Sequence, residues 1–555
     1  MRNNRPNFLF IQADQMAAPV LPFYGHSVVQ APNMQSLADN GVVFDSAYCN
    51  FPLCAPSRFS MLSGQLASRI GAYDNAAELT ASVPTFAHYL RHLGYYTCLS
   101  GKMHFIGPDQ LHGFEQRLTT DIYPADFLWT ADWSPRERVS TSEMGVVLKA
   151  GPCQRSVQVD YDDEVTFHAV RKLYDIARYE RDRPFFLAVS FTHPHDPFTT
   201  PTEYWDRYDH DAIDPPRVPP NYDGARDPHS KRISDHFGIE AARISEEQVR
   251  IARHAYYGAI SYVDDQVGAL LRALRSSGLD EDTVVILTSD HGEFLGERGL
   301  WFKRSFYEWS ARVPLVIHQP SRFAPRRVAA NVSLVDLLPT VVDLASDGDA
   351  PEPVDPGDGH SLAGLLRGEG AGWPDTVFGE ILCECTTAPL LMIRRGRYKY
   401  VSCETDPAQL FDLEADPNEL DNLAGRADVA DVEASFVEEV ARRWNSKEIT
   451  REVIASQRRR LFLNETLSMG RVRSWDFQPW TDASRQYYRG HGAADAVNLV
   501  ERGLRYGIVE MKENQVLYNG RQIGTDKETA IRFLAFEHEI ANALERQIRE
   551  AAGQL

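Results

Sequence analysis

No stretch of the 555 residues approaches the ~18 consecutive apolar residues that a membrane-spanning helix needs, so no helical span is expected. Cysteine is scarce. The seven present (Cys49, Cys54, Cys98, Cys153, Cys383, Cys385 and Cys403) are odd in number, which argues against a disulfide framework and for a reducing compartment. Basic charge is in deficit, with 58 Lys and Arg against 78 Asp and Glu and a formal net charge of −20, so nucleic acid and anionic lipid are disfavoured as partners. The opening MRNNRPNFLFIQADQ has an apolar run of only four residues before Gln12, too short for the apolar region of a secretory signal. Together these features lead to the expectation of a cytoplasmic location with no membrane partner. No internal repeat is found. What remains, 43% hydrophobic and 25% charged, is the balance of a soluble globular protein with ample chain for a core.

Asn7 to Ala13 is a short apolar run stopping at Asp14, which reads as a buried parallel strand with a carboxylate at its C-terminal end. Pro184–Phe191 and Thr283–Ser289 are similar, the latter ending at Asp290. Helical patterns cover Met34–Asn40, Thr85–Leu93 and Gln248–Leu274. Strands alternating with helices predict an α/β fold, a mostly parallel sheet sandwiched by helices, with ligands outside the carboxyl ends of the strands. The Pro/Gly/Asp-rich stretch 345–359 reads as a linker or surface loop, and Leu391–Val401 as a hairpin in a smaller α+β unit. Val516–Ile523 carries an Asn-Gly hairpin turn, and a terminal helix from about Lys527 to Ala552 has Phe533, Phe536, Ile540, Leu544 and Ile548 on one face. The expected division is 1–370, a smaller C-terminal α+β domain at 371–480 and an extension, hairpin plus helix, at 481–555.

The densest chemical signal is Cys54-Ala-Pro-Ser-Arg58, extended through Gly64 and followed by Arg69. In chain order it is joined by Asp14, Gly101-Lys102-Met103-His104, His195-Asp196-Pro197, Ser289-Asp290-His291-Gly292 and Lys303, and by LFDLEADPNELDNLA at 410–424. Taken singly each has an ordinary structural explanation; jointly, at strand ends, they describe a site. The set resembles the sulfatase family, of the alkaline-phosphatase-like superfamily, over about residues 5–480. Within it, FLFIQADQM at 8–16, residues 101–127, 255–266, 289–303 and Ser474–Pro479 look like choline sulfatases.

The resemblance implies an enzyme in which a separate formylglycine-generating enzyme oxidises Cys54 to formylglycine, whose hydrate attacks sulfur. Asp14, Gln15, Asp290, His291 and position 54 would hold a divalent cation, Ca²⁺ first and Mn²⁺ or Mg²⁺ as alternatives. Gln15 stands where many sulfatases have a second Asp; either its amide oxygen ligates or the cation has one anionic ligand fewer. Arg58, one helical turn from Cys54, would steady the nucleophile. Lys102 and Lys303 would neutralise sulfate oxygens, His104 would be the base for elimination, and His195 the acid at the leaving oxygen. A quaternary ammonium would be held by Trp129 and Glu384, with Trp475 and Phe477 supplied by a neighbouring subunit of a dimer or tetramer. Choline sulfatases carry a His-Asn pair where this chain has Ser142-Glu143, which leaves open either an additional anion for a cationic alcohol or a pocket re-cut for another organic sulfate. The expected activity is hydrolysis of a small sulfate monoester, with phosphonate monoester or phosphodiester hydrolysis as the alternative.

Overall fold

The computed structural model describes residues 5–133, 144–220, 226–346, 349–470, 475, 493–512, 515–536 and 538–551. Two compact units are present, 1–478 and 479–555.

The first unit is built on an eight-stranded sheet: β1 (Asn7–Ala13), β2 (Val42–Tyr48), β3 (Tyr96–Gly101), β4 (Gln116–Arg117), β5 (Phe185–Phe191), β6 (Thr283–Ser289), β7 (Leu315–His318) and β8 (Arg326–Ser333). Their order is β8-β2-β7-β6-β1-β5-β3-β4. All neighbours are parallel except β7, which is antiparallel to both β6 and β2. Successive side chains of a strand point to opposite faces, and both faces here are apolar. Phe8, Phe10, Phe186, Val284 and Ile286 enter one core, while Leu9, Ile11, Leu187, Val285 and Leu287 enter the other.

Helices cover both faces. α1 (Pro32–Asp39), α4 (Val157–Tyr179) and the 31-residue α5 (Glu246–Ser276) pack into the second core; α2 (Cys54–Ser63), α3 (Phe86–His92) and α6 (Leu337–Ser346) pack into the first. The helix expected at 248–274 thus starts two residues earlier, because Ser245 caps it in a reciprocal box with Gln248. Helix α2 has all ten residues buried. Pro56 lies in its first turn, where a missing N–H costs nothing, and Gly64 closes it in the left-handed conformation at φ 66°.

Beyond an irregular stretch at 349–362 comes an antiparallel sheet of β9 (Thr376–Ile381), β10 (Leu390–Arg395), β11 (Tyr398–Cys403) and β12 (Asp406–Asp412), followed by α7 (Ala430–Arg443) and α8 (Ser446–Leu467). The hairpin read at 391–401 is its β10–β11 pair. The second unit has its own small core. α9 (Ala493–Arg505) precedes a sheet of β13 (Val509–Lys512), β14 (Gln515–Tyr518) and β15 (Arg521–Gly524), then α10 (Lys527–Phe536) and α11 (His538–Ala551). The Asn-Gly turn is realised with Asn519 at φ 49° and Gly520 at φ 76°. The terminal helix expected as one run is described as two stretches either side of Glu537, with Leu544 and Ile548 fully buried in that core. All seven cysteines are free thiols, and no described helix is long and apolar enough to cross a membrane.

Candidate active site

Strand register assembles the site. Ala13 pairs with Ser289, so the next residues, Asp14 and Asp290, leave the sheet side by side although 276 positions separate them. Gly101 pairs with Ser190, which carries Lys102 and the segment after Phe191 to the same edge. The N-terminus of α2 brings Cys54 over this edge. Ligating atoms of Asp14, Cys54, Asp290 and His291 all lie within 4.8 Å of one another, and all four residues are buried. Cys54 Sγ is 3.2 Å from His291 Nε2 and 3.8 Å from Asp14 Oδ1.

Buried carboxylates this close need cations. Arg58 Nε donates to Asp290 Oδ2 at 2.8 Å and its Nη2 lies 3.4 Å from Asp14 Oδ2, while Lys102 Nζ pairs with the same Asp14 oxygen. Burial and the Cys54 thiol push Asp14 up, but Lys102, His195 and Arg58 outweigh them and bring it down to about 2. Burial likewise pushes the Cys54 thiol up, and the fields of Lys102, Lys303 and His291 more than offset this, holding it well below the usual thiol range.

Gln15, at φ 63°, is clamped by a chain of contacts. Its Nε2 donates to Glu293 Oε2 at 2.5 Å and to Asp196 Oδ1 at 3.3 Å, and its Oε1 accepts from Lys303 Nζ. The amide therefore presents oxygen, not nitrogen, on the Lys303 side. Lys303 Nζ also lies 2.8 Å from His195 Nε2, whose Nδ1 donates to the Asp196 carbonyl at 2.8 Å. His104 stands opposite in character. Both of its ring nitrogens are buried without a hydrogen-bond partner, and burial pulls its pKa down. Its backbone N–H is fixed by Asp121 Oδ2 at 2.8 Å.

Every residue expected at the sulfate end is thus gathered here. At the alcohol end the result is mixed. Trp129, 41% exposed, meets the ring of His104 edge-on at 5.7 Å and that of Tyr123 at 5.2 Å. Glu384 is engaged by Arg304, whose Nε donates to Oε1 at 2.6 Å and whose Nη2 lies 2.6 Å from the same oxygen. Burial pushes Glu384 up and Arg304 brings it below the usual carboxylate range. Trp475 packs on Phe127 at 5.4 Å. Phe477, Ser142 and Glu143 lie outside the described residues.

Three participants were given no role in the sequence reading. Tyr123 lies under Lys102 Nζ at 4.1 Å, stacks on His104 at 5.2 Å and places its hydroxyl 3.2 Å from His195 Nδ1. Glu293, pushed up to about 8 by burial, and Asp196 orient Gln15. Asp196 and Glu293 sit beside His195 and His291 in sequence, and that adjacency was an available signal; Tyr123 offered none.

The donor set fits a hard divalent cation. His291 Nδ1 faces the Gly292 carbonyl at 3.0 Å, which places its proton there and leaves the Nε2 lone pair toward the two carboxylates. Two carboxylates and one imidazole beside Cys54 form a donor set suited to a hard divalent ion.

Comparisons with known proteins identify the family. The sequence profile of the sulfatase family matches residues 6–347, that of the N-sulphoglucosamine sulphohydrolase C-terminal region 296–446, and that of the choline sulfatase enzyme C terminus 451–506. A choline-sulfatase of Rhizobium meliloti (strain 1021) is 45% identical over 513 residues, 90% of this chain and 99% of that protein. An arylsulfatase of Clostridium perfringens is 28% identical over 450 residues, 76% of this chain and 90% of that protein. Among solved structures, the phosphonate monoester hydrolase of Agrobacterium radiobacter superposes with a TM-score of 0.64 at 26% identity, covering 79% of this chain and 95% of that one.

Proposed function

Because this chain belongs to the sulfatase family and is a sulfuric ester hydrolase, we propose that it is a formylglycine- and divalent-metal-dependent enzyme acting on choline sulfate or a closely related quaternary-ammonium sulfate. The observation that carries the reading is the arrangement of two acids and one imidazole around Cys54, walled by Arg58, Lys102 and Lys303. Support for the alcohol comes from the 45% identical choline-sulfatase and from the match at 451–506.

Asp14, Gln15, Asp290 and His291 would hold the cation beside position 54, where it supplies Lewis acidity toward a hydroxyl and a sulfate oxygen. A hydrated formylglycine, made from Cys54 by a formylglycine-generating enzyme, would supply what a thiol lacks: one hydroxyl to attack sulfur and a second whose deprotonation expels sulfate by C–O cleavage. Lys102 and Lys303 neutralise the sulfate oxygens as charge spreads, from positions already fixed by Asp14 and Gln15. Lys303 and His195, 2.8 Å apart, hold the proton that the departing alkoxide takes up. His104, kept neutral by burial and free at both nitrogens, takes the proton released in the second half-reaction. The aromatic face of the half-exposed Trp129 holds the ammonium head. The body's −20 charge repels a simple anionic ester but not a zwitterion with no net charge, which favours such a substrate.

Two measurements test this. Mass spectrometry of the peptide spanning 52–69 should show the loss of about 18 Da that accompanies conversion of cysteine to formylglycine. The modified enzyme should release sulfate from choline sulfate faster than it cleaves an aryl sulfate or a phosphonate ester. Equal or reversed rates against aryl sulfate would remove the choline assignment and leave the hydrolase. Faster phosphonate cleavage would favour the alternative drawn from the structural neighbour.

A further inference from the structure

A second cavity, of about 330 Å³, is lined by Arg217, Arg312 and Arg394, with Tyr24, Tyr48 and Trp309 between them. None of Asp14, Cys54, Lys102, His104, Asp290 or His291 lines it. Arg394, on β10, is only 6% exposed, yet its Nε and Nη1 are buried with no hydrogen-bond partner. Arg312 Nε is in the same condition. Among the described residues no carboxylate oxygen comes within 4.0 Å of these three guanidinium groups, and Glu308 feels Arg312 and Arg394 only through longer-range charge. The guanidinium groups of Arg312 and Arg217 lie over aromatic rings, Tyr24 at 5.1 Å and Trp309 at 5.8 Å.

One carboxylate, Glu308, also lines the cavity: its oxygens accept from Lys399 Nζ at 2.9 Å and from the Tyr48 hydroxyl at 3.2 Å, and against the upward push of burial the charges of Lys399, Arg312 and Arg394 hold it below the usual carboxylate range. The cavity therefore gathers three guanidinium groups against one carboxylate, an excess of positive charge in a chain with 20 more acidic than basic residues. Buried cationic donors without partners are costly, and a guanidinium fork matches two oxygens of an oxyanion at once. We propose that this cavity is an anion site, distinct from the catalytic cluster, that takes a small doubly charged tetrahedral oxyanion: sulfate, the product of the reaction, or phosphate.

Calorimetric titration of the purified full chain tests it, with sodium sulfate and sodium phosphate each compared with chloride at matched ionic strength. The Lys102→Ala background weakens sulfate binding in the catalytic pocket. One oxyanion per chain should bind and raise the melting temperature, and Arg394→Gln or Arg312→Gln should weaken binding about tenfold or more. Arg217, at the exposed rim, should contribute less, and Arg217→Gln serves if the Arg394 variant fails to fold. Preference for sulfate identifies product binding at this site; preference for phosphate identifies a separate effector. No binding beyond chloride in Lys102→Ala, or binding untouched by both Arg312→Gln and Arg217→Gln, overturns the assignment.

Discussion

Two buried charge clusters in the first unit make an instructive pair. Around Lys399, on β11, each charged group has an oppositely charged partner. Its Nζ donates to the Phe306 carbonyl at 2.7 Å and to Glu308 Oε1 at 2.9 Å, and forms an ion pair with Glu419 Oε1 at 2.5 Å. The remaining oxygens of those acids accept from Tyr48 and from the Glu308 amide. Around Cys54 the ledger stays open: His104 has two idle nitrogens and Arg58 Nη2 makes no hydrogen bond. Both clusters are fully buried and both unite distant segments, so burial and charge alone do not separate structure from function. The difference lies in completion. A closed network fixes the seam between the two sheets, whereas an open one holds groups in place for a ligand that has yet to arrive.

The sharpest way to break the comparison is to remove one member from each cluster. Cys54→Ala should lower sulfate release by about 10³-fold or more while the chain still folds, measured as turnover beside a thermal melt. If substantial turnover survived, the covalent mechanism would fall. Lys399→Met should do the reverse. It leaves Glu308 and Glu419 buried and unpaired, so unfolding in denaturant should show a loss of about 3–5 kcal/mol, with turnover per folded molecule near that of the parent. A Lys399 variant of unchanged stability would sink the structural role.

A smaller effect sharpens the contrast. Chelation should lower the melting temperature, and saturating Ca²⁺ at about 100 times its dissociation constant should restore ~2.7 kcal/mol. The Lys399→Met chain should keep that increment and Asp14→Asn should lose it; an increment that survives in Asp14→Asn would displace the cation from this cluster.

Smallest is a pH effect at Asp121, which anchors the His104 loop. Burial pushes Asp121 up, but Arg117 and His104, with the backbone N–H groups of Met103 and His104, bring it to about 2. A folded value below the unfolded one of about 3.9 means the stabilisation is fully present above pH ~4 and is lost as pH falls through about 2. The stake is about 2 kcal/mol. Denaturation of the parent and Asp121→Asn should therefore differ most at neutral pH and converge below about pH 4. A gap that holds constant to pH 3 would contradict the ionised role.

Local pattern was enough for the elements that pattern controls. β1, β5, β6 and α5 are long or strongly apolar segments whose burial on both faces leaves few alternatives, and the turn at Asn519-Gly520 follows from the left-handed conformations those two residues tolerate. The clustering around Cys54 was legible too, because Asp14, Lys102, His195 and Asp290 each follow a strand end, where parallel sheets place ligands. Tyr123 was not legible. It joins the site through a packed loop that has no period, and a lone tyrosine carries no spacing to read. Nor was the engagement of Glu384 by Arg304, since a side chain's partner across 80 residues is a matter of loop path.

By itself, then, the chain's order of residues determined the α/β class, the main strands and helices, and the chemical types gathered at the sulfate end, because those depend on short-range periodicity and on motifs a few residues long. Only the tertiary structure decided which of them touch. Pairing of β1 with β6 sets Asp14 against Asp290, the Glu293–Gln15–Lys303 chain turns an amide oxygen inward, and the meeting of β10 with the loop before β7 collects arginines in a second cavity. The physical reason is that register and packing are collective: each contact is fixed by the burial of the whole sheet, not by the residues that make it.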